Sequence, residues 1–448
     1  MNPLPPAARW PLRLYRTFFP IVFGALLPGF LLRMVRRGNY RRQFGQRLGF
    51  YSPEAKAVLG KGSWLWIHAV SVGEMMMGLR LARELQAGGA GRILLSTTTS
   101  TGLALARGEL EALRRNGEVE LIYYPLDVAG IVHRALNLIR PSQLVLIDKD
   151  FWPNMITECY RRGIPVSIVN ARLSARSEER FRRFRRWVAP FFGMLRQVCI
   201  QEPEDAERWV AIGVRPEAVH YTGSLKFDYS ATDSLSQAEQ FRALLRQGGW
   251  SDSPILLGGS TFPGEERALG EVLRQLRPRF PNLRLILVPR HVERTPEVEA
   301  TLRELNLSYT LRTRLAECRE IGDVLLVNTT GELRHWYAVA DVCFVGKSLT
   351  AKLGQNPAEP ILAGKPVVFG PHMGNFEALV TKLRSVNSVN QVPDQSALCR
   401  TVEELLLSPE KGAAQVARAR EVLSRHEGAC RRTAALLLSS PQEVPKKI

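Results

Sequence analysis

Trp64-Leu65-Trp66-Ile67-His68-Ala69-Val70 runs straight into Ser71-Val72-Gly73-Glu74 and then into a helix-patterned stretch, Met75 to Gln86. A short, continuous apolar run reads as a strand buried on both faces, and the periodic stretch behind it as the returning helix. The same unit repeats. Arg92 to Ser96, Leu121 to Tyr124, Leu144 to Ile147 and Val166 to Val169 read as further strands, and Thr101 to Arg115 as a second helix. Strands alternating with helices build a parallel, doubly wound sheet. The polar stretch Ser230 to Ser253, ending in Gly248-Gly249, reads as a linker. The rhythm then restarts at Ile255 to Gly259 and continues through Leu285 to Val288, Val324 to Val327, Val342 to Val345 and Pro366 to Phe369. Glu403 to Leu438 reads as closing helices and Gln442 to Ile448 as a frayed tail. The fold class is therefore α/β with two such sheets, and 448 residues suffice for two cores. Sheets of this kind bind ligands at the carboxyl ends of their strands, so function is sought in the loops that follow strands and face a cleft between the domains.

Composition narrows the partners without choosing one. Lys and Arg number 61 against 43 Asp and Glu, a net charge of +18. Such a surface attracts nucleic acid, anionic lipid or phosphorylated substrates. A coding bias toward Arg gives the same surplus. No repeated basic-aromatic strand motif of the RNA-binding type is present, so no nucleic-acid partner is expected. The six cysteines are scattered among apolar residues, which reads as reduced, buried thiols rather than a disulfide framework or metal site. Residues 17–32 carry no charge, with Arg9, Arg13 and Arg16 before them and Arg33, Arg36, Arg37, Arg41 and Arg42 behind. This is short for a spanning helix, which needs about 20 apolar residues. Pro20, Pro28 and Gly29 weaken it further, and no small-residue cleavage site marks it as a signal peptide. Two readings stand: a membrane anchor or interfacial segment, or an amphipathic first helix packed on the body.

The chemistry-bearing residues fall in the loops. Glu74 opens a helix, where a carboxylate serves either as a general base or as a capping group. Ser96, Thr97, Thr98 and Thr99 form a hydroxyl series at the next helix start, suited to an anion or to ordinary N-capping. Asp148-Lys149-Asp150 follows a strand; Lys149 between the acids argues against a metal, and none is expected. Arg172 and Arg176 head a basic stretch interleaved with Phe181, Phe184 and Trp187, suited to a phosphorylated acceptor, a membrane surface or a solvated helix face. In the second half, Gly258-Gly259-Ser260-Thr261 is expected to let a ligand approach the backbone. Arg290 is placed to hold a phosphate, and the acids of Thr330-Gly331-Glu332 and Asn356-Pro357-Ala358-Glu359 to meet ribose hydroxyls.

Taken in order, these pieces resemble one family, the bacterial 3-deoxy-D-manno-octulosonic acid (Kdo) transferases. The resemblance runs from about residue 10 to 435 and rests on Ser71-Val72-Gly73-Glu74, the Ser96–Gly102 loop, Trp152-Pro153-Asn154, the Asn170–Ser177 segment and Gly223-Ser224-Leu225-Lys226-Phe227-Asp228. Gly264-Glu265-Glu266, Val288-Pro289-Arg290-His291, Gly331-Glu332-Leu333, Asn356-Pro357, Glu359-Pro360 and Gly370-Pro371-His372-Met373 complete it. It implies a GT-B glycosyltransferase: a membrane-associated segment at 1–40, a Rossmann-like acceptor domain at 41–232, a Rossmann-like donor domain at 233–415, and a C-terminal helix and tail at 416–448. The implied donor is CMP-Kdo, with no separate cofactor. The implied acceptor is a lipid A precursor at the cytoplasmic face of the inner membrane, among anionic lipids. Glu74 matches the family's general base, Lys226 a residue that steadies the transition state, and Asp148 a supporting acid. Ser260, Pro289, Arg290, Thr330, Gly331, Glu332, Asn356, Pro357, Ala358 and Glu359 fall in the CMP-binding loops. The Ser96–Thr99 hydroxyls, Arg172 and Arg176 fall on the acceptor side.

The chain also departs from the family's pattern. Asp148-Lys149-Asp150 stands for Glu-Thr-Glu, and a carboxylate one methylene shorter retreats by about 1.5 Å. Phe262 stands where the family has His, and Lys347 where it has Gly. Leu353-Gly354-Gln355-Asn356 replaces Gly-Gly-His-Asn. These departures keep open a related transferase with another sugar donor or glycolipid acceptor, and a membrane-surface binder that has lost turnover.

Overall fold

The computed structural model describes residues 1–36, 43–115, 117–148, 150–173, 175–228 and 232–439. Lys149, Ser174, Ser230, Arg37, Arg41, Arg42 and the tail Gln442 to Ile448 lie outside them, as do the side chains of Arg33, Arg36 and Arg176. The chain forms two compact units, Met1–Asp228 with Gly428–Ile448, and Tyr229–Glu427.

The first unit holds β1 (Trp64–Ala69), β2 (Arg92–Thr97), β3 (Val119–Tyr123), β4 (Gln143–Ile147), β5 (Val166–Ala171), β6 (Gln197–Ile200) and β7 (Val219–Tyr221). They make a seven-stranded parallel sheet in the order β3-β2-β1-β4-β5-β6-β7. Alternation along β1 divides the core. Trp64 and Trp66 pack with Met155 and Ile156 of the helix Pro153–Arg161 on one face. Leu65, Ile67 and Ala69 pack with Met75, Leu79 and Ala82 of the helix Val72–Ala87 on the other. The C-terminal helix Ala429–Leu438 joins that second face through Ala429, Cys430, Ala434 and Leu437. Each buried large side chain contributes about 2 kcal/mol or more.

The second unit holds β8 (Ile255–Thr261), β9 (Arg284–Pro289), β10 (Tyr309–Leu311), β11 (Val324–Leu326), β12 (Val342–Val345), β13 (Val367–Phe369) and β14 (Asn390–Gln391). Its parallel sheet runs β10-β11-β9-β8-β12-β13-β14. Thr232–Gln247 is helical rather than the expected linker. Phe241 and Leu245 are spaced four apart, and both are buried with Trp336 and Trp250. The polar residues around them cover the helix's outer face. Gly258 and Gly259 also differ from expectation. A Cβ on Gly258 would meet Leu269 at 2.4 Å, and one on Gly259 would meet the Tyr337 hydroxyl at 2.2 Å. Helix packing on the two faces of β8, not ligand approach, requires these glycines.

Residues Pro6–Arg36 form one helix. Among the described residues no helix is long and apolar enough to cross a membrane. The early part of this helix is docked on the first unit. Ala8 and Leu12 are buried, and the Asn2 N–H donates to the Arg161 carbonyl at 2.7 Å. Arg16 Nε donates to Asn154 Oδ1 at 2.7 Å. Beneath this contact lies Asp127, buried, accepting from the Asn154 N–H (3.0 Å), the Met155 N–H (2.8 Å) and the Tyr15 hydroxyl. Burial outweighs these bonds and pushes the Asp127 carboxyl up to about 6. A raised acid holds its proton more tightly in the native state, so its stabilisation is complete below about pH 4 and disappears as pH rises through 6. The unfolding temperature of the wild type minus that of Asp127→Asn is expected to narrow from about pH 4 to about pH 7. A gap independent of pH, measured by calorimetry, contradicts this assignment.

Candidate active site

In each sheet the strand order reverses beside the unit's first strand, with β1 beside β4 and β8 beside β12. The connections on either side of such a point leave toward opposite faces, and a crevice opens at the carboxyl ends. Glu74 and Asp148 follow β1 and β4, so both border the crevice of the first unit.

Glu74 stands third in its helix. Its Oε2 accepts the Val70 N–H at 2.6 Å and the Ser71 N–H at 3.3 Å, and its Oε1 accepts the Ser71 hydroxyl at 3.0 Å. Ser71 Oγ in turn accepts the Glu74 N–H at 3.3 Å, which completes a capping box. The carboxylate is therefore fixed in direction, and with about four lone-pair sites it keeps acceptor capacity on Oε1. Asp148 leaves β4 at φ 71°, a left-handed conformation, with its N–H on the Val169 carbonyl at 2.9 Å. Lys226 follows β7, at the far edge of the sheet, yet its loop is drawn back. Leu225 is fully buried among Ile67, Ile147 and Val169. Asn170 Oδ1 accepts the Leu225 N–H at 3.0 Å and the Ser224 hydroxyl at 3.3 Å. Asp228 ends the segment by accepting the Gly428 and Cys430 N–H groups at 2.8 and 2.5 Å. Glu74, Asp148 and Lys226 thus share one end of one sheet.

The residues expected on the acceptor side divide. Ser96 and Thr97 are fully buried. Ser96 Oγ accepts from Trp66 Nε1 at 2.7 Å, and the Thr97 hydroxyl donates to the Val70 carbonyl at 3.3 Å. Thr99 is the N-cap of the helix Ser100–Arg114, accepting from the Gly102 N–H at 3.1 Å. Thr98 and Thr99 are half-buried, so they are the hydroxyls of the series nearest the surface. Arg172 is half-buried near Asp205, and Arg176 belongs to the helix Ala175–Arg183.

Sequence reasoning passed over His68. It is fully buried, stacked on Tyr124 at 3.6 Å, with Nδ1 facing the Ser96 carbonyl and hydroxyl at 3.2 and 3.1 Å. Its Nε2 lies 3.7 Å from Asp150 Oδ2. Burial pushes the imidazole down to about 3, so it stays neutral despite that acid. No sequence pattern flags it, since a histidine inside an apolar strand run reads as core.

In the second unit all ten residues expected on the donor side lie at or near the carboxyl ends of β8, β9, β11 and β12 or in the loops after them. Ser260 bends the end of β8 at φ 53°. Pro289 ends β9 and is buried, and Arg290 beyond it is exposed, its N–H on the Thr261 carbonyl at 3.1 Å. Thr330, Gly331 and Glu332 follow β11. The Glu332 carboxylate is held in a two-bond fork by Arg312, 3.0 Å each, and accepts the Thr329 hydroxyl at 2.7 Å. Asn356 Oδ1 accepts the Ala358 N–H at 3.1 Å and its amide donates to Glu359 Oε1 at 3.0 Å, fixing the Pro357-Ala358 turn.

Two parallel α/β units of this kind also occur in an Anabaena protein in complex with UDP (16% identity, 85% of this chain and 100% of that one, TM-score 0.54) and in a UDP-GlcNAc 2-epimerase from Neisseria meningitidis bound to UDP-GlcNAc (13%, 84% and 100%, TM-score 0.59). At these identities the likeness is one of fold, the two-domain α/β architecture seen in GT-B glycosyltransferases. The sequence comparisons define the family. The model described as 3-deoxy-D-manno-octulosonic-acid transferase (kdotransferase) matches residues 42–229. The 3-deoxy-D-manno-octulosonic acid transferase of Haemophilus influenzae is 32% identical over 95% of this chain and 98% of its own length. That of Bordetella pertussis is 32% identical over 93% and 97%. The chain belongs to the Kdo transferase family and is a glycosyltransferase.

Asn170 adopts φ 56°, so glycine can replace it without backbone strain while removing the acceptor. Asn170→Gly leaves the buried Leu225 N–H without its partner. A loss of about 1–3 kcal/mol in chemical denaturation is expected, with a larger fall in kcat than in donor affinity. Unchanged kcat would show that the loop is held by other contacts.

Proposed function

We propose that the protein transfers Kdo from CMP-Kdo to a phosphorylated lipid A precursor, in lipopolysaccharide assembly, by one inverting displacement. The observation that carries this reading is the pair Glu74 and Asp148 at the switch point of the first sheet, with Lys226 drawn back to the same end. In the reading, Glu74 takes the proton of the acceptor hydroxyl as that oxygen attacks the anomeric carbon. Its capping box supports the role because a fixed carboxylate loses little orientation on reaching the transition state. Lys226 offsets negative charge growing on the departing CMP phosphate. Asp148 supports the site electrostatically. The loops after β8, β9, β11 and β12 hold the nucleotide, with Arg290 toward phosphate and Asn356 and Glu359 toward the ribose. The chain's Arg and Lys residues do the charge work in this reading, and no metal takes part.

We also assign the protein to the cytoplasmic face of the inner membrane, by way of its first helix. Trp10, Phe18, Ile21 and Val22 on that helix are exposed, and so are Phe184 and Trp187 near the helix Arg185–Phe192 that it packs against. Arg180, Arg182, Arg183, Arg185 and Arg186 surround the latter pair. Aromatic and basic side chains together suit an anionic bilayer surface.

Glu74→Gln tests the base. An amide oxygen can still accept the Val70 N–H, so the cap survives while the basic carboxylate is lost. CMP release from CMP-Kdo in the presence of a tetraacylated lipid A precursor is expected to fall about 10²–10⁴-fold. Near-normal release would remove Glu74 from the role. For the membrane, Phe18→Glu with Ile21→Glu is expected to weaken sedimentation with anionic vesicles and leave binding of CMP unchanged. Equal sedimentation would contradict the assignment.

A further inference from the structure

Lys347 leaves β12 beside β8, at the switch point of the second sheet. It stands at φ 59°, a conformation that favours glycine and is unfavourable for a residue with a Cβ. A buried acid enforces it. Glu265, fully buried, accepts the N–H groups of Phe262 (2.8 Å), Lys347 (2.7 Å), Ser348 (2.8 Å) and Leu349 (2.9 Å). The loop then closes on itself, with the Gly354 N–H on the Lys347 carbonyl at 2.9 Å and the Gln355 N–H on the Gly346 carbonyl at 3.1 Å. A braced loop therefore displays the Lys347 cation at a strained position, with Lys352 exposed further along the same loop.

The side chain has a seat. The Lys347 ammonium lies 5.1 Å from the centre of the Phe262 ring, and Phe262 meets His291 edge-on at 5.8 Å, next to exposed Arg290. An aromatic face attracts a cation without neutralising it. Among the described residues the ammonium forms no ion pair. The two residues that stood apart in the sequence, Phe262 and Lys347, are thus one contact. A half-buried cation with no ion pair among the described residues, at a strand-end crevice, is suited to an anionic ligand oxygen.

We propose that Lys347, seated on Phe262, is a donor-specificity residue that binds an anionic oxygen of the nucleotide-linked sugar acid, either its phosphate or its carboxylate. This rests on the donor reading given above. The test is calorimetric titration of the full-length protein with inorganic pyrophosphate, CMP and CMP-Kdo, comparing wild type with Lys347→Met, Lys347→Arg and Lys347→Gly. Lys347→Met is expected to bind CMP-Kdo about tenfold or more weakly, with Lys347→Arg retaining affinity. If CMP weakens in parallel, the bound oxygen is the phosphate's; if CMP is unaffected, it is the sugar carboxylate's. Lys347→Gly relieves the backbone, so it is expected to melt at or above the wild type while binding more weakly. A lysine with a merely structural role would not give that combination. Equal affinity of wild type and Lys347→Met for both CMP and CMP-Kdo overturns the proposal and leaves the donor reading standing. Lys347-dependent binding of pyrophosphate without binding of either cytidine ligand would overturn the donor reading and keep the cation site. Binding of none of the three overturns both.

Discussion

A parallel sheet whose strand order reverses must send neighbouring connections to opposite faces, and the rest of this structure depends on that constraint. It places β1 beside β4 in the first unit and β8 beside β12 in the second. At or just after the ends of those strands stand Glu74 and Asp148 in one unit, and Ser260 and Lys347 in the other. Asp148 and Lys347 occupy corresponding places after β4 and β12, and both are non-glycine residues in the left-handed region. Asn170 and Ser260 adopt the same region near other strand ends. Strain of this kind persists only where surrounding bonds over-determine it.

At Lys347 the bond comes from a carboxylate that accepts backbone N–H groups, a device that recurs at other loops of the fold. Glu265 accepts four, holding the loop after β12 to the start of its own helix. Asp127 accepts two at the start of the helix Pro153–Arg161, and Asp228 two at the start of Ala429–Leu438. Glu74 accepts two from its own helix start. Ionised acceptors make stronger bonds than neutral ones, and a helix N-terminus favours the charge. An acid at these places braces a loop first. In the proposed reaction Glu74 also acts as the base, its brace lying at the carboxyl end of β1.

Much of the fold was legible in the sequence because buried parallel strands are written as continuous apolar runs. Trp64 to Val70 and Val342 to Val345 are such runs, and each is a strand. The short edge strands Val219–Tyr221, Tyr309–Leu311 and Asn390–Gln391 were not, since edge position leaves them partly exposed and without an apolar run. The helix Thr232–Gln247 was hidden by its polar outer face. At the site, the order of the motifs indicated which loops matter, but not what each side chain does there. Nothing in Gly264-Glu265-Glu266 tells that Glu265 is buried under four N–H groups while Glu266 pairs with Arg294 at 2.7 Å. Nothing in Asn170 tells that it reaches the loop of Lys226, because that contact joins residues far apart in the chain. The seating of Lys347 on Phe262 was invisible for the same reason.

The proposed reaction is a single displacement at the anomeric carbon with Glu74 as its base. The anomeric configuration of the product tests it most directly. Wild-type protein would be incubated with CMP-Kdo and a tetraacylated lipid A precursor, and the new ketosidic linkage assigned by NMR. A linkage inverted relative to the donor is expected. A linkage with the donor's configuration retained would contradict it, since that outcome requires two successive displacements and a different part for Glu74.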